Sequence, residues 1–300
     1  MTSDARMINY TERISLLARD IVSRVPRLSY IDPEELLIFA RYGRTGAEGA
    51  FATCHCISLP PTDPGYYYWR DRQSGLITRR SHWFVTKSPA VFVGGTRIQY
   101  LVSFALPRFC DQVLRGSRKE QFYRQVPGWL AKLDTVVHEL YHIDPQFAGI
   151  RQFERADGGN ASSSHGSHFL ETVADMVREY LNSRPDPALY EFLRYRFSEL
   201  EAKYGGVVAT TFRTFPSYPQ RYIEFLPAGE QPVLPESVRL QPLKTPARPT
   251  HFTEYDLIVR QFTTGATRAV PRRERLLPDL VRQMTPPGPQ QRAAAIEHDK

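Results

Sequence analysis

A chain of 300 residues that is 41% hydrophobic and 24% charged can bury a sizeable core and is not disordered throughout. It holds no uninterrupted apolar run of about 18 residues, so no membrane-spanning helix is expected, and its three cysteines, Cys54, Cys56 and Cys110, argue against a disulfide framework. The net charge of +7 is modest and the arginines are scattered, so a solvated basic surface is expected ahead of a dedicated nucleic-acid stripe.

Residues 1–6 lead into a charged amphipathic segment rather than a signal peptide, so a cytoplasmic location is expected. Ile14, Leu17, Ala18, Ile21, Val22 and Val25 recur at helical spacing and predict a helix over 11–25, ended by Pro26. Strand signals follow at Leu36–Ala40, Phe51–Leu59, Tyr66–Trp69, His82–Thr86 and Gln99–Leu106. Turns rich in Gly and Pro separate them, with a clear loop at residues 60–65. These segments predict a small, mainly antiparallel sheet. Cys54-His55-Cys56 invites a metal reading, but in a strand His55 faces away from the two cysteines. Core or edge-strand cysteines are the expectation there.

His138-Glu139-Leu140-Tyr141-His142 has the pattern H-E-x-x-H. Leu130, Leu133, Val136, Val137 and Leu140 form an apolar helical stripe, and the two histidines fall opposite it, beside Ala131 and Thr135. Histidines four apart on a helix lie on one face and can reach one metal ion. Glu139 stands beside that ion, where it can take a proton from water and pass it to a leaving amine. Pro127 suits the helix start, and Asp144-Pro145 supplies a stop. Asp134, one turn before His138, is a candidate support for the ligands.

A catalytic zinc takes three protein ligands and keeps one position open. The third is sought in Ser164-His165-Gly166-Ser167-His168-Phe169-Leu170-Glu171. His165 is the first choice, at the junction of a loop and a new helix. Glu171 is its rival, because Glu171-x-x-Ala174-Asp175 matches the E-x-x-A-D arrangement of glutamate-ligand zincins; His168 is the remaining alternative. A helix is predicted over 169–181 and another over 189–204, stopped by Gly205-Gly206. Thirteen of the 24 prolines then fall between Pro216 and Pro289. Strands remain possible at 207–215 and 221–226, and 254–262 is amphipathic. The expected organisation is one α+β domain over 1–205, a Pro-rich extended arm over 206–285 and a disordered tail over 286–300.

H-E-L-Y-H followed by H-G-S-H-F resembles the SprT-like metalloproteases and related phage-type and bacterial zinc metallopeptidases. The likeness covers roughly residues 95–182. It implies a zincin-like α+β fold, with an N-terminal helix and a small sheet ahead of the metal helix. It implies Zn2+ bound by His138, His142 and His165, Glu139 as general base, and Phe169 as an anchor of the second helix. The activity implied is hydrolysis of a peptide or protein substrate. Zincins commonly hold an extended peptide along a sheet edge, and His168, Arg178 and Tyr180 are candidates for stabilising the oxyanion. Two features depart from the group. Twenty-two residues separate His142 from His165, a long connection, and no pair of C-x-x-C motifs follows the protease core. A DNA-associated protease acting on protein bound to nucleic acid is therefore the alternative, and a non-catalytic zinc-stabilised accessory protein the second.

Overall fold

The computed structural model describes residues 7–56, 66–70, 77–83, 90–113, 118–123, 127–145, 151, 165–166, 168–213, 221–225 and 251–270. The loop expected at 60–65, the connection 152–164 and the tail 286–300 lie outside the described residues. Among the described residues no helix is long and apolar enough to cross a membrane.

Strand β1, Ile8–Asn9, runs straight into helix α1, Tyr10–Arg24. Asn9 starts the helix because its side-chain oxygen accepts the Glu12 amide at 3.3 Å, satisfying a donor that the first turn leaves open. The same oxygen accepts the Thr11 hydroxyl at 3.0 Å. Ile14, Leu17, Ala18, Ile21 and Val22 are buried along one face.

Strands β2 (Leu36–Gly43), β3 (Ala52–Cys56), β4 (Tyr66–Arg70), β5 (Ile77–Trp83), β6 (Ala90–Val93), β7 (Thr96–Ile98) and β8 (Tyr100–Pro107) follow. One sheet has the order β2-β8-β3, leaving β3 at an edge. Every residue of β8 is buried, and its side chains alternate between two cores. Tyr100, Val102, Phe104 and Leu106 join the core under the helices. Leu101 joins a second core with Leu37, Phe39, Val91 and Ile98. Most strand pairs are antiparallel, but β2 and β8 run parallel from Leu36↔Tyr100 to Gly43↔Pro107. The chain between them is long enough for the crossover that a parallel pair needs. The reading from sequence has no strand at β6 or β7. They form a hairpin whose turn is Gly94-Gly95, with φ of 56° and 82°, the left-handed conformation that a tight hairpin requires.

Helices α2 (Leu130–Tyr141) and α3 (Phe169–Asn182) pack against each other and, with α1, bury the inner face of this sheet. The helix predicted over 189–204 is broken: two 3₁₀ turns at Pro187–Leu189 and Glu191–Arg194 precede α4, Phe197–Tyr204. The cause lies on α2. Lys132 is buried, and its ammonium donates to the Tyr195 carbonyl at 2.7 Å, which turns Tyr195 into an extended conformation. Gly205, at φ 71°, closes α4.

The boundary expected at 205 is corrected. Strands β9 (Val207–Phe212), β10 (Arg221–Phe225), β11 (His251–Phe252), β12 (Leu257–Phe262) and β13 (Thr267–Ala269) are built into sheets with earlier parts of the chain. The order β1-β9-β12-β13 places β9, buried at every residue, between the N-terminal strand and β12. The Thr210 amide donates to the Thr11 hydroxyl at 2.9 Å, tying β9 to the start of α1. High proline content misleads here because the prolines fall between these strands and not in them.

Candidate metal centre

Helix α2 begins in a tight turn, with the Leu130 amide bonded to the Pro127 carbonyl at 3.1 Å. Its apolar stripe, Leu130, Leu133, Val136, Val137 and Leu140, is in the core. His138 and His142 therefore project from the opposite side towards the start of α3. His165 precedes α3 and meets them there. Its Nε2 lies 3.1 Å from His138 Nε2 and 3.2 Å from His142 Nε2. One N–H on His165 cannot serve two acceptors fully, so the convergence is poorly explained by hydrogen bonding alone. It suits a shared cation: Zn–N arms of about 2.0–2.1 Å at tetrahedral angles put nitrogens about 3.3–3.4 Å apart. Among the described residues this is the one group of His, Cys, Asp or Glu side chains that could hold a metal.

Burial lowers the basicity of all three rings. His142 is pushed down to about 3, mainly by desolvation and then by His165, Lys119 and Arg151. Desolvation also holds His138 well below its ordinary value, and lowers His165. Neutral imidazoles at neutral pH keep the lone pairs a metal needs.

Phe169, the first residue of α3, touches all three rings. Its centroid lies 4.8 Å from that of His138, 4.9 Å from His142 and 4.6 Å from His165, and it is 1% exposed. Packing therefore orients the ligands. The buried Nδ1 atoms of His138 and His142 have no hydrogen-bond partner among the described residues, where a carboxylate or carbonyl commonly sits.

Glu139 is buried between α2 and the edge strand. Its Oε2 accepts the Cys54 amide of β3 at 2.7 Å. Burial pushes its carboxyl up to about 7, with Lys119, the Cys54 N–H and Arg41 pulling the other way. Proton transfer near neutral pH is what such a value serves.

The other candidates lie elsewhere. His168 and Glu171 are exposed and paired with each other at 3.1 Å. Asp175 pairs with Arg178 at the surface. Tyr180 donates to Asp20 at 2.8 Å, in the packing against α1. Asp134 does not reach a histidine; it pairs with Lys119 and accepts the Tyr123 hydroxyl at 2.7 Å. In the Cys54-His55-Cys56 stretch, Cys54 packs on the helix-side core while His55 points the other way. His55 Nε2 lies 3.0 Å from the Ser103 hydroxyl, and burial pushes the ring down to about 3. The Cys56 side chain lies outside the described residues.

Arg151 is the only described residue of the long connection to His165 beyond the chain leaving α2 at 143–145. It closes the end of α2, its amide donating to the His142 carbonyl at 2.8 Å and its Nε to the Tyr141 carbonyl at 3.0 Å. Its Nη2 donates to the Tyr30 hydroxyl at 2.8 Å. A cation there satisfies carbonyls that the helix leaves open and matches its dipole. Arg151→Ala is expected to lower the unfolding free energy by about 1–3 kcal/mol, measured by urea denaturation, because Tyr30 and Tyr141 lose a charged donor. An unchanged midpoint would mean that the clamp contributes nothing.

Reasoning from sequence misses the reach of Phe169 across three rings, the Cys54 amide on Glu139, and the Lys119–Asp134–Tyr123 cluster. Phe169 shows only as an apolar position, and Lys119 sits in a stretch without periodicity. Comparison with known proteins finds no family model, no curated protein and no solved structure that matches this chain.

Proposed function

We propose that this chain is a zinc-dependent metallopeptidase. The observation that supports it is the convergence of His138, His142 and His165 beside the buried carboxylate of Glu139. The donor set fits zinc: three neutral imidazoles, with His165 Nε2 3.1–3.2 Å from the Nε2 atoms of the other two, and no fourth side-chain ligand among the described residues. Three ligands and an open position mark a catalytic site, whereas a structural zinc has four closed ligands. Zinc bound there supplies a Lewis acid for a carbonyl and a water that ionises near neutral pH.

The residues of the chain do the rest. The Cys54 amide fixes Oε2 of Glu139, which leaves Oε1 to take a proton from the attacking water and deliver it to the leaving amine. Burial of Glu139 between α2 and β3 excludes bulk solvent, which keeps that carboxyl basic enough for the work. Phe169 holds the three imidazoles in one arrangement, so no rearrangement is needed when substrate arrives. The SprT-like resemblance agrees with this assignment of His138, Glu139, His142 and His165.

Metal analysis tests the reading. Purified wild type is expected to carry about one zinc per chain. His142→Ala and His165→Ala are expected to lose it, and Glu171→Gln to keep it. Zinc kept by His165→Ala but lost by Glu171→Gln would move the third ligand to Glu171. Folded wild type that takes up no zinc when supplied with it would overturn the proposal.

A further inference from the structure

We propose that Arg151 is a positioning residue of the metal centre: its guanidinium clamps the connection to the end of α2 and so delivers His165 to His138 and His142. This rests on the three-histidine metal site and needs no peptidase activity. The connection leaves α2 through Ile143 and Pro145, and Arg151 brings it back to the helix end. Thirteen residues then separate Arg151 from His165. The side chain makes the return firm. Its Nε donates to the Tyr141 carbonyl at 3.0 Å and its Nη2 to the Tyr30 hydroxyl at 2.8 Å. The guanidinium carbon lies 4.4 Å from the centre of the Tyr141 ring and 5.6 Å from that of Tyr30, within cation–π reach of both. The backbone amide adds its bond to the His142 carbonyl at 2.8 Å.

Tyr30 ties both ends of the excursion. Its hydroxyl donates to the Ile143 carbonyl at 2.7 Å while it accepts from Arg151. One phenol, in the chain between α1 and β2, thus holds positions 143 and 151 together. Two routes lead from this clamp to the ligands. The first is the chain itself. Anchored at 151 rather than at 145, the connection closes thirteen residues instead of nineteen to reach His165, and loop-closure entropy favours that by about twofold. The second is packing. The Tyr141 ring beneath the guanidinium lies 5.2 Å from Phe169, whose ring touches all three imidazoles.

Electrostatics alone predicts the opposite sign. A guanidinium at the end of α2 repels a metal cation, so removing it would tighten zinc binding if charge were all that mattered. A loss of affinity therefore reads positioning. His165 is the ligand that should feel it most, because the connection carries it, whereas His138 and His142 are placed by α2 itself.

Zinc affinity provides the test, measured by competition with a chromophoric chelator on full-length protein that circular dichroism shows to be folded. Arg151→Ala is expected to bind zinc about tenfold more weakly than wild type, the lower end of the loss seen when groups behind metal ligands are removed. Tyr30→Phe keeps the ring and the charge of Arg151 but deletes both hydroxyl bonds, and should weaken zinc about threefold. Arg151→Lys should fall between wild type and alanine, since an ammonium lacks the planar fork that spans two acceptors. In His165→Ala, where two histidines hold zinc weakly, adding Arg151→Ala should change affinity by less than about twofold, because the ligand it positions is gone. Val173→Ala, which costs stability elsewhere on α3, should leave zinc affinity unchanged. Zinc bound by Arg151→Ala as tightly as by wild type, or weakened equally with and without His165, overturns the positioning role while leaving the metal centre intact. Folded wild type that binds no zinc overturns both.

Discussion

Glu139→Gln is expected to keep its zinc and its fold while hydrolysing peptides about 100- to 10,000-fold more slowly than wild type. The substitution is nearly isosteric. A glutamine carbonyl can still accept the Cys54 amide that Glu139 Oε2 now accepts at 2.7 Å, so β3 stays docked on α2. What disappears is the ability to hold a proton. Glu139 is buried, and its carboxyl is pushed up to about 7, so ionising it in wild type carries a desolvation cost that the neutral amide avoids. Thermal stability should therefore stay level or rise, and a loss of kcat/KM at unchanged zinc content isolates the chemistry. Glu171→Gln, on the exposed side of α3, is the control and should leave activity unchanged. Wild-type turnover by Glu139→Gln would assign the proton transfer to another group and remove the central element of the proposed mechanism.

The parts of the fold that can be read from sequence are those whose periodicity is set by one buried face. Helix α1 buries Ile14, Leu17, Ala18, Ile21 and Val22 on a single stripe, and α2 and α3 do the same. Strand β8 is apolar without alternation because both of its faces are covered. Long-range pairing leaves no such local mark. Nothing in Val207–Phe212 states that its neighbours are β1 and β12, some 200 and 50 residues away. Proline-rich connections around these strands suggest an arm, although the strands themselves complete a sheet. The break before α4 is likewise invisible locally, since the acceptor that Lys132 needs is the carbonyl of Tyr195.

The candidate centre divides in the same way. The spacing of His138 and His142 is local, so a helix alone places them together. His165 is chosen from sequence by residue type and position, and the structure brings its Nε2 to 3.1–3.2 Å from theirs. The groups around the ligands cannot be read, because they come from different parts of the chain: Cys54 from the edge strand, and Lys119 and Tyr123 from a short aperiodic segment. Expected roles for Asp134, Arg178 and Tyr180 fail for a common reason. Each side chain is committed to a partner that sequence proximity to the histidines does not reveal.

Phe169→Ala should have the largest effect on stability, about 3–5 kcal/mol, because it empties a fully packed ring site. It should also weaken zinc binding by about 10- to 100-fold, the range found when groups that orient metal ligands are removed. The second effect follows from how the imidazoles are held. Neither buried Nδ1 of His138 and His142 has a hydrogen-bond partner among the described residues, so no polar contact from those residues fixes the ring planes. Phe169 does so by shape, stacked on His142 at 24° and edge-on to His138 at 76°. With alanine the rings can turn about their bonds, and each must be ordered again when the metal binds. Val173→Ala is the control. Val173 is also fully buried on α3, and its loss should cost stability while leaving zinc affinity unchanged. Zinc titrations on protein kept fully folded separate the two effects, since metal binding otherwise raises apparent stability by linkage. Equal zinc affinity in the two variants would mean that the histidines are oriented by something other than Phe169.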